Sequence, residues 1–344
     1  MELDRLLAEL PARQPAALAR AISLVENARP GFEQLLTAIH PQLGRAHRIG
    51  ITGPPGAGKS TLTQALVTAY RAAGRTVAVV AVDPTSPFTG GALLGDRIRM
   101  EAVALDDGVF IRSMATRGSL GGVATTTREV CDVLDAAGFD RILVETVGVG
   151  QSEMDISRAA DSTVLVLVPE SGDGIQALKS GVMEIADLFV VNKADRPGAD
   201  KLCREIEITL GIRRGNAFRH VPAHHGIRAG GPRAAGVDAD DTAWRQPVIQ
   251  AVATRGDGVG ALLEQLERHF AWLSHSGTLE ARRRQRMLER SREVFERALR
   301  RWVWTGTDSA ARLAGRLDDE MAGRISPYEV AGQVLDGLRT GIHA

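Results

Sequence analysis

Two cysteines, Cys131 and Cys203, are too few for a disulfide framework, and no CxxC pair is present. That removes dithiol redox chemistry and thiolate metal sites from the candidates. An excess of one charge sign is also missing. The 42 basic residues are matched by 42 acidic ones, so no overall field draws the chain to nucleic acid or to an anionic membrane. No segment approaches the ~20 unbroken apolar residues that span a bilayer. The opening MELDRLLAELPARQPAALAR carries early acids and no long apolar run, unlike a secretory signal, and a cytoplasmic location is expected. The eight histidines do not cluster at ligand spacing, and His224–His225 reads as a solvated or satisfied pair.

What is present falls into three segments. In 1–45, leucines and isoleucines at helical spacing are broken at Pro11, Pro30–Gly31 and Pro41, which predicts three short helices. In 46–275, short apolar runs alternate with helix-length stretches: RIGIT, TVAVVAV, RILVE, STVLVLV, LFVV and VIQAVA. Continuous apolar runs suit strands buried on both faces, so an α/β domain with a mostly parallel sheet is expected. Residues 226–243 read as a surface excursion, and 276–344 as a helical arm.

The motif GPPGAGKST, Gly53 to Thr61 through Pro54, Pro55, Gly56, Ala57, Gly58, Lys59 and Ser60, sits between the first strand and a helix. Its glycines let backbone N–H groups turn toward a β-phosphate, and the helix N-terminus adds partial positive charge. Lys59 would reach the β/γ-phosphates and Ser60 would ligate Mg²⁺. Asn192-Lys193-Ala194-Asp195 follows the strand LFVV, where the Asp195 carboxylate can accept N1–H and N2–H₂ of guanine. Adenine offers no such donor pair, so GTP/GDP is expected. A second guanine loop is expected at Val252-Ala253, with a backbone N–H near Ala253 facing O6.

Glu145 ends an apolar strand where a carboxylate can hold Mg²⁺. Asp83 and Asp96 read either as further metal ligands or as a turn residue and a helix cap. Val149 stands where Ras-like enzymes carry a water-orienting glutamine, so slow hydrolysis without a stimulating partner is expected.

Together, GPPGAGKS, VDPTSPFTGGALLGDRIRM, IRSMATRGSLGGVA, ETVGVGQSEMDI, SGDGIQALKSG and EIADLFVVNKAD resemble the MeaB/ArgK GTPases, the family of the methylmalonic aciduria type A protein. The resemblance covers nearly the whole chain. It implies a P-loop fold of the class that includes signal-recognition and nickel-insertion GTPases. It implies that GTP turnover gates adenosylcobalamin loading, protection and reactivation of a cobalamin-dependent acyl-CoA mutase, the cobalamin belonging to that partner. By the same resemblance Asp83, Asp96 and Glu145 surround Mg²⁺, while Asp173, Gln176 and Lys179 form a third switch coupling nucleotide to mutase. Two other functions share parts of the pattern: a kinase linked to lysine/arginine/ornithine transport, and a metallocentre-assembly GTPase.

Residues 278–304 hold nine arginines interleaved with glutamates, without an aromatic stacking platform for nucleic acid. Leu288, Phe295, Leu299 and Trp302 fall on one helical face. Either packing on the GTPase domain or pairing in a homodimer would cover that stripe, and the resemblance implies the homodimer.

Overall fold

The computed structural model describes residues 2–83, 103, 105–115, 122–146, 152–169, 182–213 and 243–342. Its helices begin and end where the sequence punctuates them. α1 (Glu2–Glu9) runs into a 3-10 turn at Leu10–Ala12, α2 (Pro15–Glu26) opens on a proline, and α3 (Phe32–Ile39) follows Gly31.

The apolar runs become strands β1 (His47–Thr52), β2 (Val77–Asp83), β4 (Arg141–Thr146), β5 (Ser162–Leu167), β6 (Leu188–Asn192) and β7 (Val248–Ala251). A further strand, β3 (Val109–Ala115), was not anticipated. It lies at the sheet edge, and Arg112 and Ser113 interrupt its apolar character, so it lacks the continuous run that marks its neighbours. All registers are parallel, and the strand order is β3-β2-β4-β1-β5-β6-β7. The connecting helices are α4 (Lys59–Ala72), α5 (Gly122–Ala136), α6 (Ser152–Ala159), α7 (Val182–Ile185), α8 (Ala199–Arg213) and α9 (Val259–His275).

Period-two alternation divides the strands between two faces. Val164 and Val166 of β5 pack with Leu62 and Leu66 of α4 and Leu262 and Leu266 of α9. Leu165 and Leu167, pointing the other way, pack with Phe189, Val191 and the α8 residues Leu202 and Ile206. On β2 and β4, the second face is covered by α5, and α2 and α3 pack on α5 in turn.

Residues Met1–Arg284 form one compact unit and Gln285–Ala344 a second. At the amino ends of the strands, Asp161 and Asp187 receive Arg283 and Arg282, the first at 2.8 Å and the second at 3.0 Å. These arginines stand near the start of α10 (Thr278–Thr305), so two of the nine are structural ion-pair partners. In the second unit α13 (Pro327–Ile342) packs on α11 (Ser309–Ala314), burying Val330 and Val334, and α12 (Leu317–Met321) lies between them in sequence.

Candidate nucleotide site

All the anticipated nucleotide contacts that fall within the described residues lie at the carboxyl ends of β1, β4, β6 and β7. That edge is where ligands bind in open α/β sheets. Between β1 and α4, Gly53, Gly56 and Gly58 take φ values of 140°, 74° and 86°, which a side chain would strain. A Cβ on Gly53 would strike the Val166 carbonyl of β5, and one on Gly58 would strike the Asn192 amide. The loop therefore needs glycine for close approach as well as for its turn.

Lys59 is buried and folds back over the loop, donating to the Gly53 carbonyl at 2.8 Å and the Pro54 carbonyl at 3.0 Å. Both carbonyls belong to the start of the loop itself, so the ammonium lies against the loop backbone. Pro55 and Gly56 are exposed at the loop tip, while Pro54 and Ala57 are buried beneath it. Thr61 continues the first turn of α4 behind Ser60.

Ser60 donates its hydroxyl to Glu145 Oε1 at 2.6 Å. Glu145 is the fifth residue of β4, opposite Ile51 of β1 and Ala81 of β2, and is 4% exposed. A buried hydroxyl and carboxylate brought together beside the phosphate loop form an oxygen-only donor pair, which fits a hard cation such as Mg²⁺. Among the described residues no group of three or more His, Cys, Asp or Glu side chains converges as a metal site. Asp83 ends β2, but its side chain lies outside the described residues, as do Asp96, Val149 and the segment with Asp173, Gln176 and Lys179. His224–His225 and all but the last residue of the 226–243 excursion also lie outside them.

On the base side, Asn192 joins three loops. Its Nδ2 donates to the Ala57 carbonyl at 2.8 Å, and its Oδ1 accepts from the Ala253 amide at 3.1 Å. Lys193, at a φ of 56°, donates to the Gly56 carbonyl at 2.8 Å. The Ala194 amide donates to Ala251 O at 3.0 Å. The phosphate loop, the NKAD turn and the Val252-Ala253 loop are thus held as one piece. The Ala253 amide expected to face guanine O6 is engaged by Asn192, so an O6 contact there would share its proton. These cross-links were not read from the sequence. Their signal was available in the single polar residue that ends the apolar strand β6.

A glycine-lined phosphate loop, a serine–carboxylate pair and an NKAD turn on a parallel sheet define a P-loop protein of the GTPase type. The family described as "Methylmalonyl Co-A mutase-associated GTPase MeaB" matches residues 18–308, and the chain belongs to that family. A putative GTPase of Pyrococcus abyssi is 43% identical over 344 residues, spanning 98% of each chain. The mouse mitochondrial methylmalonic aciduria type A homolog is 35% identical over 295 residues, covering 82% of this chain and 66% of its own. Among solved structures, an LAO/AO transport system kinase aligns over 98% of this chain and 97% of its own, with a TM-score of 0.64 and 26% identity.

Proposed function

We propose that this chain binds and hydrolyses GTP to GDP and phosphate, and that this cycle gates cofactor loading, protection and reactivation in a cobalamin-dependent acyl-CoA mutase. The observation that carries the nucleotide half is Asn192, which ties the phosphate loop to the Val252-Ala253 loop, with Asp195 of the same NKAD turn 4.0 Å from Arg255. A carboxylate at Asp195 beside these cross-linked loops supports guanine over adenine, which offers no N1–H and N2–H₂ donor pair. The mutase half is supported by family membership and by the name of the mouse relative.

In this reading Lys59 leaves its two carbonyls to meet the β/γ-phosphates. Ser60 and Glu145, with Asp83 and Asp96, hold Mg²⁺, which when bound neutralises charge developing on the phosphates. Asp173, Gln176 and Lys179 pass the nucleotide state to the mutase, which carries the adenosylcobalamin. Hydrolysis is slow until the mutase orders residues around the γ-phosphate, and the protein works in the cytoplasm.

The chain acts as a homodimer paired through its arm. All 28 residues of α10 escape burial, and Phe295 is 66% exposed within a stripe that includes Leu288, Leu299 and Trp302. An uncovered stripe of this length supports a protein partner, and its interleaved charges do not suit nucleic acid. Among the described residues no helix is long and apolar enough to cross a membrane.

The test is GTP turnover, with ATP as control, alone and with purified acyl-CoA mutases plus adenosylcobalamin. Slow release of phosphate accelerated by one mutase is the expected result. Equal turnover with and without every mutase would remove the gating role. Label from γ-³²P-GTP retained on a protein rather than released would favour a kinase like the solved relative's name.

A further inference from the structure

Guanine recognition places its burden on Asp195, yet that carboxylate is weakly held. It is 45% exposed, and its single ion-pair partner among the described residues is Arg255, whose Nη2 lies 4.0 Å from Oδ2. Arg255 has a second acidic partner, its Nε lying 3.1 Å from Asp257 Oδ2, with both side chains more than half exposed. The turn carrying both is closed by backbone bonds: Val252 N–H donates to Asp257 O at 3.0 Å, and Arg255 N–H donates to Val252 O at 2.9 Å. Gly256 and Gly258, at φ of 81° and 77°, permit its tightness. Val252, at the start of that loop, has no polar side-chain atom with which to brace the carboxylate.

The chemistry of the base makes bracing matter. Guanine's N1–H and N2–H₂ point side by side in the ring plane, so the carboxylate must lie coplanar to accept both. A carboxylate free to turn in solvent loses that freedom on binding. We propose that Arg255, steadied by Asp257, is a positioning residue that orients Asp195 toward the guanine edge. This rests on the guanine reading given above. Arg255 acts through Asp195 and touches no reacting atom.

The consequence is selective. An exposed ion pair contributes modestly, so loss of Arg255 weakens GTP and GDP binding about three- to fivefold at low salt. Inosine triphosphate keeps N1–H but lacks the exocyclic amine, so it depends less on a coplanar carboxylate. The GTP/ITP affinity ratio therefore falls in Arg255→Ala, whereas general loosening of the site would weaken both equally. Screening at ~0.5 M salt removes most of the difference.

The experiment is equilibrium titration with GTP, ITP and ATP of the full chain and of Arg255→Ala, Arg255→Lys, Asp195→Ala and the Asp195→Ala/Arg255→Ala double variant. Expected are a reduced GTP/ITP ratio in Arg255→Ala, partial recovery in Arg255→Lys, and no further loss when Arg255 is removed from Asp195→Ala. If Asp195→Ala weakens GTP while Arg255→Ala binds it unchanged or more tightly, the positioning role is overturned. If Asp195→Ala itself leaves GTP affinity intact, the guanine site has failed instead.

Discussion

Ser60 Oγ and Glu145 Oε1 stand 2.6 Å apart, joining the first turn of α4 to the end of β4. A hydroxyl and a carboxylate that already meet need little rearrangement to share a cation. Glu145→Gln keeps the shape and removes the charge. It is expected to slow Mg²⁺-dependent GTP turnover on the order of a hundredfold, with nucleotide affinity measured without Mg²⁺ nearly unchanged. Wild-type turnover in the variant would take Glu145 out of the metal site.

Gly58 is pinned between its own backbone and Asn192. An added methyl would stand only 2.4 Å from the Asn192 amide nitrogen, at a φ of 86° that already disfavours it. The side chain must swing away, losing its bonds to Ala57 and Ala253 together. Gly58→Ala should therefore lower GTP affinity by at least about tenfold, the equivalent of one such bond to a buried group. Fluorescent-nucleotide titration reads this, and an unchanged Kd would show that the three loops are not interdependent.

Asp161, with a side chain 1% exposed, takes two bonds from Arg283, at 3.2 Å and 2.8 Å. Arg283 also donates to the carbonyls of Gly44 and Ala46. Removing the cation leaves a buried carboxylate short of its charge partner. Arg283→Ala is expected to cost about 3 kcal/mol in urea unfolding, and Asp161→Asn/Arg283→Ala should recover part of it. A midpoint shift below the error of the fit would show that the pair is solvent-compensated.

His47 Nε2 and His269 Nδ1 both lie 2.7 Å from Ser162 Oγ, forming a buried chain. With His269 Nε2 3.5 Å from Asp187, the consistent proton order runs from His47 through the serine hydroxyl to His269, both rings neutral. Burial, the leading cause for each, pushes His47 down to about 3 and His269 to about 4. The unfolded rings take up protons near 6.5, so the unfolded state binds more protons as pH falls below that value. Stability is complete above pH ~6.5 and declines toward pH 4, by at most about 1.4 kcal/mol per pH unit for each imidazole. Unfolding free energies at pH 7, 6 and 5 check this. His47→Gln should flatten the slope, and an equally steep slope in that variant would assign the acid sensitivity elsewhere.

Phe295 and Leu299 are 66% and 44% exposed one helical turn apart on α10. If this stripe pairs two copies of the chain, as proposed, converting both to aspartate should leave a monomer in sedimentation with GTP affinity intact. A wild-type chain that is monomeric at ~10 µM would end the dimer reading.

Much of this arrangement could be read directly from the residues. Strands with unbroken apolar runs, such as Leu188–Asn192, declared both their extent and their burial. Phosphate-loop glycines could be placed because a strand and a helix flank them in sequence. Harder to see was β3, whose Arg112 looks like a solvated residue until Glu26 and Ser23 of α2 are found beside it. Equally hidden were partners far apart in sequence. Asn192 with Ala57 and Arg255 with Asp195 are meetings of loops, and periodicity along one element says nothing about which loops meet. The two histidines of the buried chain gave no ligand-like spacing because what unites them is the amino edge of the sheet.

Asp135 accepts the amides of Gly44, Arg45 and Ala46 at 2.9, 3.1 and 3.0 Å, and shares Arg48 with Asp132. For anyone trimming the chain to a minimal nucleotide binder, this clasp decides where not to cut. Beginning at residue 45 would uncover the face of α5 that α2 and α3 shelter. The shortened product would carry an open apolar patch beside a depleted carboxylate, a combination that favours inclusion bodies over soluble protein. The leading helices are thus better treated as a built-in solubility module of the sheet than as a removable preface to it.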